Sequence, residues 1–284
     1  KTLELFSQIA PRKQKACFIN DVKMPITEMV GALPTVIFLP QDLELFTGAP
    51  AHRRTFLDQL LCQVSPEYLQ TLMQYQKILK QRNALLRKIS EGIARRGDLA
   101  VWDEKASETA AIIILRRIQL TQMLQCTLGE ELETLGEDWS DAKIVYERKG
   151  EARDFEGVKS ELLDLLSHFQ ERDIILRSTT IGPHRDDWKI VVDTRDIATF
   201  ASRGQQRTAV LALLFLEVSY LELQRGEKPL ILLDDVFSEL DEHHQSSLLQ
   251  SLEGHQVIIT TTHLPEDVRG ARVWEVESVQ LLHC

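Results

Sequence analysis

No proline stands between Pro66 and Pro183, although six fall before residue 67 and three after residue 182. Proline removes a backbone donor and clashes with the preceding helical turn, so a long span without it is free to run as extended helices. Within that span Leu72, Tyr75, Leu79, Arg82, Leu86, Ile89 and Ile93 recur at spacings of three and four, with Arg82 the only polar member. After a turn bounded by Gly92 and Gly97, a second stripe follows at Trp102, Ala106, Ala110, Ile113, Leu120 and Leu124. Two stripes joined by a short glycine-bounded turn predict two helices packed antiparallel in coiled-coil fashion. These positions build an arm and carry no chemistry.

The proline-bearing flanks read differently. Residues 2–39 look like strands: Leu3, Leu5 and residues 15–19 are sheet-like, Asn20 and Asp21 suggest a turn, and residues 35–39 form a buried strand closed by Pro40. From about Thr180 the pattern is a strand at 189–192, an amphipathic helix at 205–224, and buried strands at 229–233 and 256–260. Strand, helix, strand, helix, strand predicts an α/β layer with a parallel sheet. A chain of 284 residues can hold two core-bearing units. The expected division is strands of an N-terminal lobe at 1–45, a helical arm at 46–179 and an α/β lobe at 180–284.

Composition excludes several classes. No run of eighteen apolar residues occurs, so no membrane-spanning helix is expected. Cys17, Cys62, Cys126 and Cys284 are scattered without a CxxC pair, which reads as reduced thiols in a cytoplasmic protein without structural zinc. The chain starts at Lys1 with no signal peptide, as a fragment would. A net charge of −10 argues against indiscriminate coating of nucleic acid but leaves room for a local basic surface.

The chemistry-bearing residues cluster in the last third. Residues 230–233 are apolar and end in Asp234 and Asp235. A buried strand of this kind delivers carboxylates to the C-terminal edge of a parallel sheet, where nucleotides bind; an ordinary strand end can look the same. Upstream, Ser202, Arg203, Gly204, Gln205 and Gln206 open the predicted helix. Ser202 can cap it, Gly204 permits close approach, and the helix start offers free N–H groups to an anion; a plain helix cap also fits. Downstream, Ser238, Glu239, Leu240 and Asp241 follow the acidic pair, and His263 closes a strand ending in three threonines. Order is what discriminates. An SxGQQ signature, an apolar run into Asp–Asp, SELD, then a strand ending in Thr-Thr-Thr-His resembles the C-terminal lobe of ABC-type ATPase heads.

A more specific resemblance runs from about Thr35 to His263. Residues 38–48 (FLPQDLELFTG), 53–58 (RRTFLD), 75–77 (YQK), 79–84 (LKQRNA) and 182–187 (GPHRDD) are similar to the bacterial RecF family of DNA replication and repair proteins. The resemblance implies an ABC-type head with an antiparallel helical arm. It also implies a cytoplasmic protein of DNA damage repair, recombination and the SOS response. Such a protein binds ATP with Mg²⁺ and dimerises on double-stranded DNA near gaps and single/double-strand junctions. Its partners are RecO and RecR, which help it load recombinase. Carried over residue by residue, Asp234 would hold the metal and Asp235 would sit beside the γ-phosphate. Ser202, Arg203, Gly204, Gln205 and Gln206 would face the nucleotide held by the other subunit, with Asp241 at the seam and His263 as the γ-phosphate switch. The second carboxylate is Asp where most ABC ATPases carry Glu, which implies slow hydrolysis. No GxxxxGK[ST] occurs in the sequence, so this chain by itself lacks the main phosphate anchor and is expected to be inactive alone. The head of another SMC-type DNA clamp is the alternative, and the short arm speaks against it.

DNA contact is expected, if anywhere on the arm, at Lys77, Lys80, Arg82, Arg87, Lys88, Arg95 and Arg96. These seven cations face only Glu91 within residues 77–96, a local charge of +6. Phosphate contacts from such a cluster would be independent of base sequence and sensitive to salt; a solvated helix face would have the same composition.

Overall fold

The computed structural model describes residues 2–8, 14–263 and 272–275. Strands β1 (Leu3–Gln8), β2 (Gln14–Ile19) and β3 (Val22–Met24) form an antiparallel meander. Asn20 and Asp21 link the last two with φ of 49° and 65°, the left-handed pair that a two-residue hairpin turn requires and that Asn and Asp tolerate.

β4 (Thr35–Phe38) joins β8 (Leu230–Asp234) and β9 (Gln256–Thr260) in a parallel sheet of order β4-β8-β9. The expected strand at 189–192 exists as β6 (Asp187–Val192), yet it is not part of this sheet. It pairs antiparallel with β5 (Lys143–Glu147) and with the short β7 (Arg195–Asp196). The parallel sheet instead takes its third strand from the N-terminal region. β5 also lies inside the span assigned to the arm, so a ladder crosses the expected boundary at residue 180. On one face of the parallel sheet Val36, Phe38, Ile231 and Leu233 are buried. On the other, Ile37, Leu232 and Ile258 fall in one register row, with Ile37 52% and Ile258 55% exposed.

The helices follow in order: α1 (Pro50–Val64), α2 (Pro66–Ser90), α3 (Ala100–Thr134), α4 (Phe155–His168), α5 (Gln170–Leu176), α6 (Ile197–Phe200), α7 (Arg203–Arg225) and α8 (Glu242–Ser251). Ser65 caps α2 by accepting from Tyr68 N at 3.1 Å, with Pro66 in the first turn, where its missing donor costs nothing. α2 and α3 pack along their length, as the two stripes predict. Tyr75, Arg82 and Leu86 of the first stripe are buried, as are Ala106, Ala110, Ile113, Leu120 and Leu124 of the second. Ile93 lies past the end of α2 and is 71% exposed. Among the described residues no helix is long and apolar enough to cross a membrane.

The segment 182–187, which leads into β6, is held by side chains of α1, α2 and α3. Arg117 on α3 donates to Pro183 O at 2.7 Å, and Arg54 on α1 donates to Asp186 O at 2.9 Å. Arg53 grips the Asp187 carboxylate with two bonds of 2.8 Å each. Tyr75 OH and His184 Nδ1 stand 2.7 Å apart. Gly182 has φ +123°, and a Cβ there would lie 2.5 Å from the Tyr75 hydroxyl, so only glycine fits. Burial raises the Asp186 carboxyl to about 6 and lowers the His184 imidazole to about 4. The two sequence segments 53–58 and 182–187 are thus one structural unit, held by backbone carbonyls that arginines reach across the fold.

Candidate functional site

β8 is the central strand of the parallel sheet, with Ile231 and Leu233 turned into the core. That alternation carries Asp234 to its exposed C-terminal end. Asp235 follows in the left-handed region, φ 48°, and turns the chain off the sheet edge. Neighbouring β9 holds this turn: Asp235 N donates to Thr260 O at 2.9 Å, and Thr260 Oγ1 donates to Asp234 Oδ1. Ser238 Oγ reaches both Asp235 O at 2.9 Å and Asp235 Oδ2 at 3.0 Å. Asp235 Oδ1 is buried and has no hydrogen-bond partner among the described residues. A buried carboxylate oxygen left bare is costly unless something outside the chain satisfies it.

Among the described residues no group of three or more His, Cys, Asp and Glu could cage a metal. Mg²⁺ does not require a cage. It binds through one or two carboxylates and completes its shell with waters and phosphate oxygens. Asp234 at the exposed edge and the bare oxygen of Asp235 fit that donor set.

The 3₁₀ turn Val236–Glu239 leads to Asp241, which caps α8. Its Oδ1 accepts from His244 N at 2.9 Å and stands 2.7 Å from His244 Nδ1. Gln245 Nε2 donates to Phe237 O at 3.0 Å and Leu240 O at 2.9 Å, pinning the turn to the helix. His263 is exposed at the same sheet edge, three residues beyond β9, and its N donates to Thr261 Oγ1 at 3.2 Å.

The start of α7 is a capping box. Gln205 N donates to Ser202 Oγ at 3.2 Å, and Ser202 N donates to Gln205 Oε1 at 3.1 Å. Gln205 Nε2 also donates to Glu137 Oε2 at 3.0 Å. Ser202, Arg203 and Gly204 are exposed. Gln206 is buried and donates to Ala201 O at 3.2 Å, so its side chain anchors the turn from within and does not present itself to a ligand. Gly204 is the informative position. Among the described residues a Cβ there would meet nothing closer than Ser202 Oγ at 3.8 Å, so their packing does not demand a glycine. Gly204 is the second residue of α7, and glycine is a poorer helix former than alanine, by at most about 1 kcal/mol, the helix-interior value. A residue that weakens its own helix without a steric reason points to something approaching from outside.

Sequence reasoning misses two linking residues, Thr208 and His244. Thr208 Oγ1 and His244 Nε2 are 3.1 Å apart, joining α7 to α8. Neither lies in a recognisable motif; a hydroxyl six residues past the cap, on the otherwise apolar stripe of α7, was the available signal.

On the arm the basic cluster divides. Lys77, Lys80, Arg87, Lys88, Arg95 and Arg96 are exposed. Arg82 is not: it is 0% exposed. Its Nε bonds Asp103 Oδ1 at 2.6 Å, and its Nη1 bonds Asp173 Oδ2 at 2.7 Å and Thr179 Oγ1 at 2.8 Å. Expected as a phosphate contact, Arg82 is instead an internal clamp, which agrees with its place on the apolar stripe. Arg96 pairs with Glu171 on α5 in solvent, a contact of small energy.

No family model matches the chain. Among curated proteins, a DNA replication and repair protein RecF of Symbiobacterium thermophilum is 39% identical, with 97% of this chain and 74% of that protein covered. A RecF of a Thermoanaerobacter species is 38% identical over 91% of this chain and 71% of its own length. Two solved structures of the recombination mediator protein RecF in the RecFOR pathway, one with ATP and one with ATPrS, superpose with TM-scores of 0.82. They are 34% and 33% identical, cover 94% and 92% of this chain, and in both 71% of the solved chain is matched.

Proposed function

The chain belongs to the RecF family of DNA replication and repair proteins, and from that premise we propose that it forms the part of an ATP-dependent, DNA-bound dimer that completes and reads the nucleotide site. The observation that carries this reading is the bare, buried Oδ1 of Asp235 at the C-terminal edge of a parallel sheet, beside the exposed Asp234. ATP with Mg²⁺ supplies the partners that edge lacks. Asp234 would hold the ion, Asp235 would orient the attacking water, and His263, at the same edge, would respond to the γ-phosphate. A γ-phosphate chemistry run by two short carboxylates is expected to be slow.

Ser202, Arg203, Gly204 and Gln205 would face the nucleotide of a second copy. The exposed start of α7 supports this, because its free N–H groups suit an anion and its glycine answers to no steric neighbour among the described residues. Asp241 would sit at the seam between copies. The two solved relatives, RecF-ATP and RecF-ATPrS of the RecFOR pathway, support the choice of ATP and of a recombination pathway shared with RecO and RecR. Double-stranded DNA near gaps and strand junctions, and assistance to recombinase loading in the cytoplasm, complete the reading.

The test uses the protein in a form that carries a phosphate loop. Ser202→Arg should bind ATP as a monomer with wild-type affinity and fail to dimerise in analytical ultracentrifugation. Loss of monomer binding in that variant would refute the two-subunit assignment.

A further inference from the structure

The α7 start and Asp241 lie in different motifs, yet a hydrogen-bonded chain connects them inside one subunit. Thr208 is 2% exposed, His244 has 19% of its side chain exposed and Asp241 66%, so the chain runs from core to surface. Thr208 Oγ1 is 3.2 Å from the Gly204 carbonyl and 3.1 Å from His244 Nε2. His244 Nδ1 is 2.7 Å from Asp241 Oδ1.

Proton counting limits what this arrangement can do. The Asp241 carboxylate only accepts, so Nδ1 must carry its hydrogen. The Thr208 hydroxyl has a single proton. With a neutral ring it donates that proton to the bare Nε2, and the three residues then donate in one direction, from α7 to Asp241. Should Nε2 also carry hydrogen, Thr208 accepts from it and returns its proton to the Gly204 carbonyl. Asp241 is tied to α7 in either arrangement: with the neutral ring the link ends at Thr208 itself, and with both ring nitrogens protonated it extends to the Gly204 carbonyl in the first turn.

We propose that Thr208 and His244 are positioning residues that couple Asp241 to the Ser202–Gly204 turn, so that a second subunit pressing on Asp241 sets the turn that faces its nucleotide. The proposal rests on the ATP-dimer reading given above. Two side chains, 36 residues apart in sequence, thereby tie the two surfaces that one subunit offers to the other. The linkage suits two-sided recognition, because neither surface can engage without biasing the other.

Two measurements test it. The first needs no nucleotide: in this chain, His244→Leu should raise amide hydrogen exchange at residues 206–208 by about tenfold, the loss of one net hydrogen bond, with the middle of α7 unchanged. Unchanged exchange at those amides overturns the coupling. The second uses the form that carries a phosphate loop and compares Thr208→Val, which keeps the shape and deletes the hydroxyl, with Thr208→Ser, which keeps the hydroxyl. Monomer ATP affinity should stay within about twofold for both, while Thr208→Val should need about tenfold more ATP for half-dimerisation and Thr208→Ser should restore it. Equal defects in the two variants would reduce Thr208 to a packing role. If the wild-type protein does not dimerise with ATP at all, the functional reading fails and the proposal with it, whatever the exchange experiment returns.

Discussion

Arg82 offers the sharpest test of how the arm is held. Its guanidinium bridges Asp103 on α3 and Asp173 on α5, and reaches Thr179 in the segment that leads to β6. Replacing it with Met keeps the apolar stem and deletes the charge. Asp103, with 13% of its side chain exposed, can then find water. Asp173 cannot: its side chain is 0% exposed. Its Oδ1 keeps Thr180 N at 3.0 Å and Thr180 Oγ1 at 2.7 Å, but its Oδ2 loses Arg82. One stranded buried charge places the cost at the lower end of the range for breaking a buried ion pair, about 3 kcal/mol. At roughly 2–3 °C per kcal/mol for a chain of this size, the melting midpoint should fall by about 6–9 °C. Adding Asp173→Asn removes the stranded charge and should recover about half or more of that loss, a non-additivity expected for contacting residues. Differential scanning calorimetry on the two variants, with Lys80→Ala as an exposed control expected within about 0.5 kcal/mol of wild type, measures all three. A midpoint for Arg82→Met within about 2 °C of wild type, or no recovery in the double variant, would refute the clamp.

The segment 182–187 gives a pH test, because Asp186 is raised to about 6 and His184 lowered to about 4, both by burial. Stability from the raised carboxyl is present at low pH and lost as pH rises through 6; stability from the depressed imidazole is present above its ordinary value and lost as pH falls toward 4. The two oppose, so between pH 6.5 and 4 the melting midpoint of Asp186→Asn should drop on acidification and that of His184→Gln should rise; parallel profiles would sink the assignment. At the sheet edge, Asp235→Asn in the form that carries a phosphate loop should accumulate the ATP-bound dimer and cut hydrolysis by at least about tenfold, and an unchanged rate would make Asp235 a simple strand-end residue. On the arm, changing Arg87, Lys88, Arg95 and Arg96 to Glu should weaken duplex binding uniformly across sequences. It should also flatten the salt dependence by about one unit of slope per lost phosphate contact; wild-type affinity and slope would leave the cluster a solvated face.

Local rules reached far into this fold. The spacing of Tyr75, Arg82 and Leu86 and of Ala106, Ala110 and Ile113 predicts the hairpin, and the structure buries all six with α2 packed on α3. Ser202 caps α7 as its residue type suggests, and the structure adds Gln205, which completes a capping box. Pairing is another matter. The 189–192 segment reads as a strand, but nothing in its periodicity says that its partner is β5 and not β8. A period of two reports that alternate residues face opposite ways, and it is silent on which neighbour takes up the hydrogen bonds. The same gap let the parallel sheet draw β4 from nearly two hundred residues upstream of β8.

Arg82 shows two readings of one residue in competition. Charge counting groups it with Lys80 and Arg87 as a basic face, while helical spacing sets it on the apolar stripe with Tyr75 and Leu86. The stripe wins, since a side chain at a core position goes where the backbone points it. The cost of burying a cation then selects its surroundings, here Asp103 and Asp173 from two other helices. The reverse holds for Gly204, where composition suggested a close approach and the structure removes the competing steric explanation. A polar residue on an apolar stripe and a glycine with empty space around it are both departures from what the local element prefers. The first is answered from inside the chain. The second has no answer among the described residues, which is why the start of α7, and the Thr208–His244 link behind it, is the surface on which a second subunit should be sought.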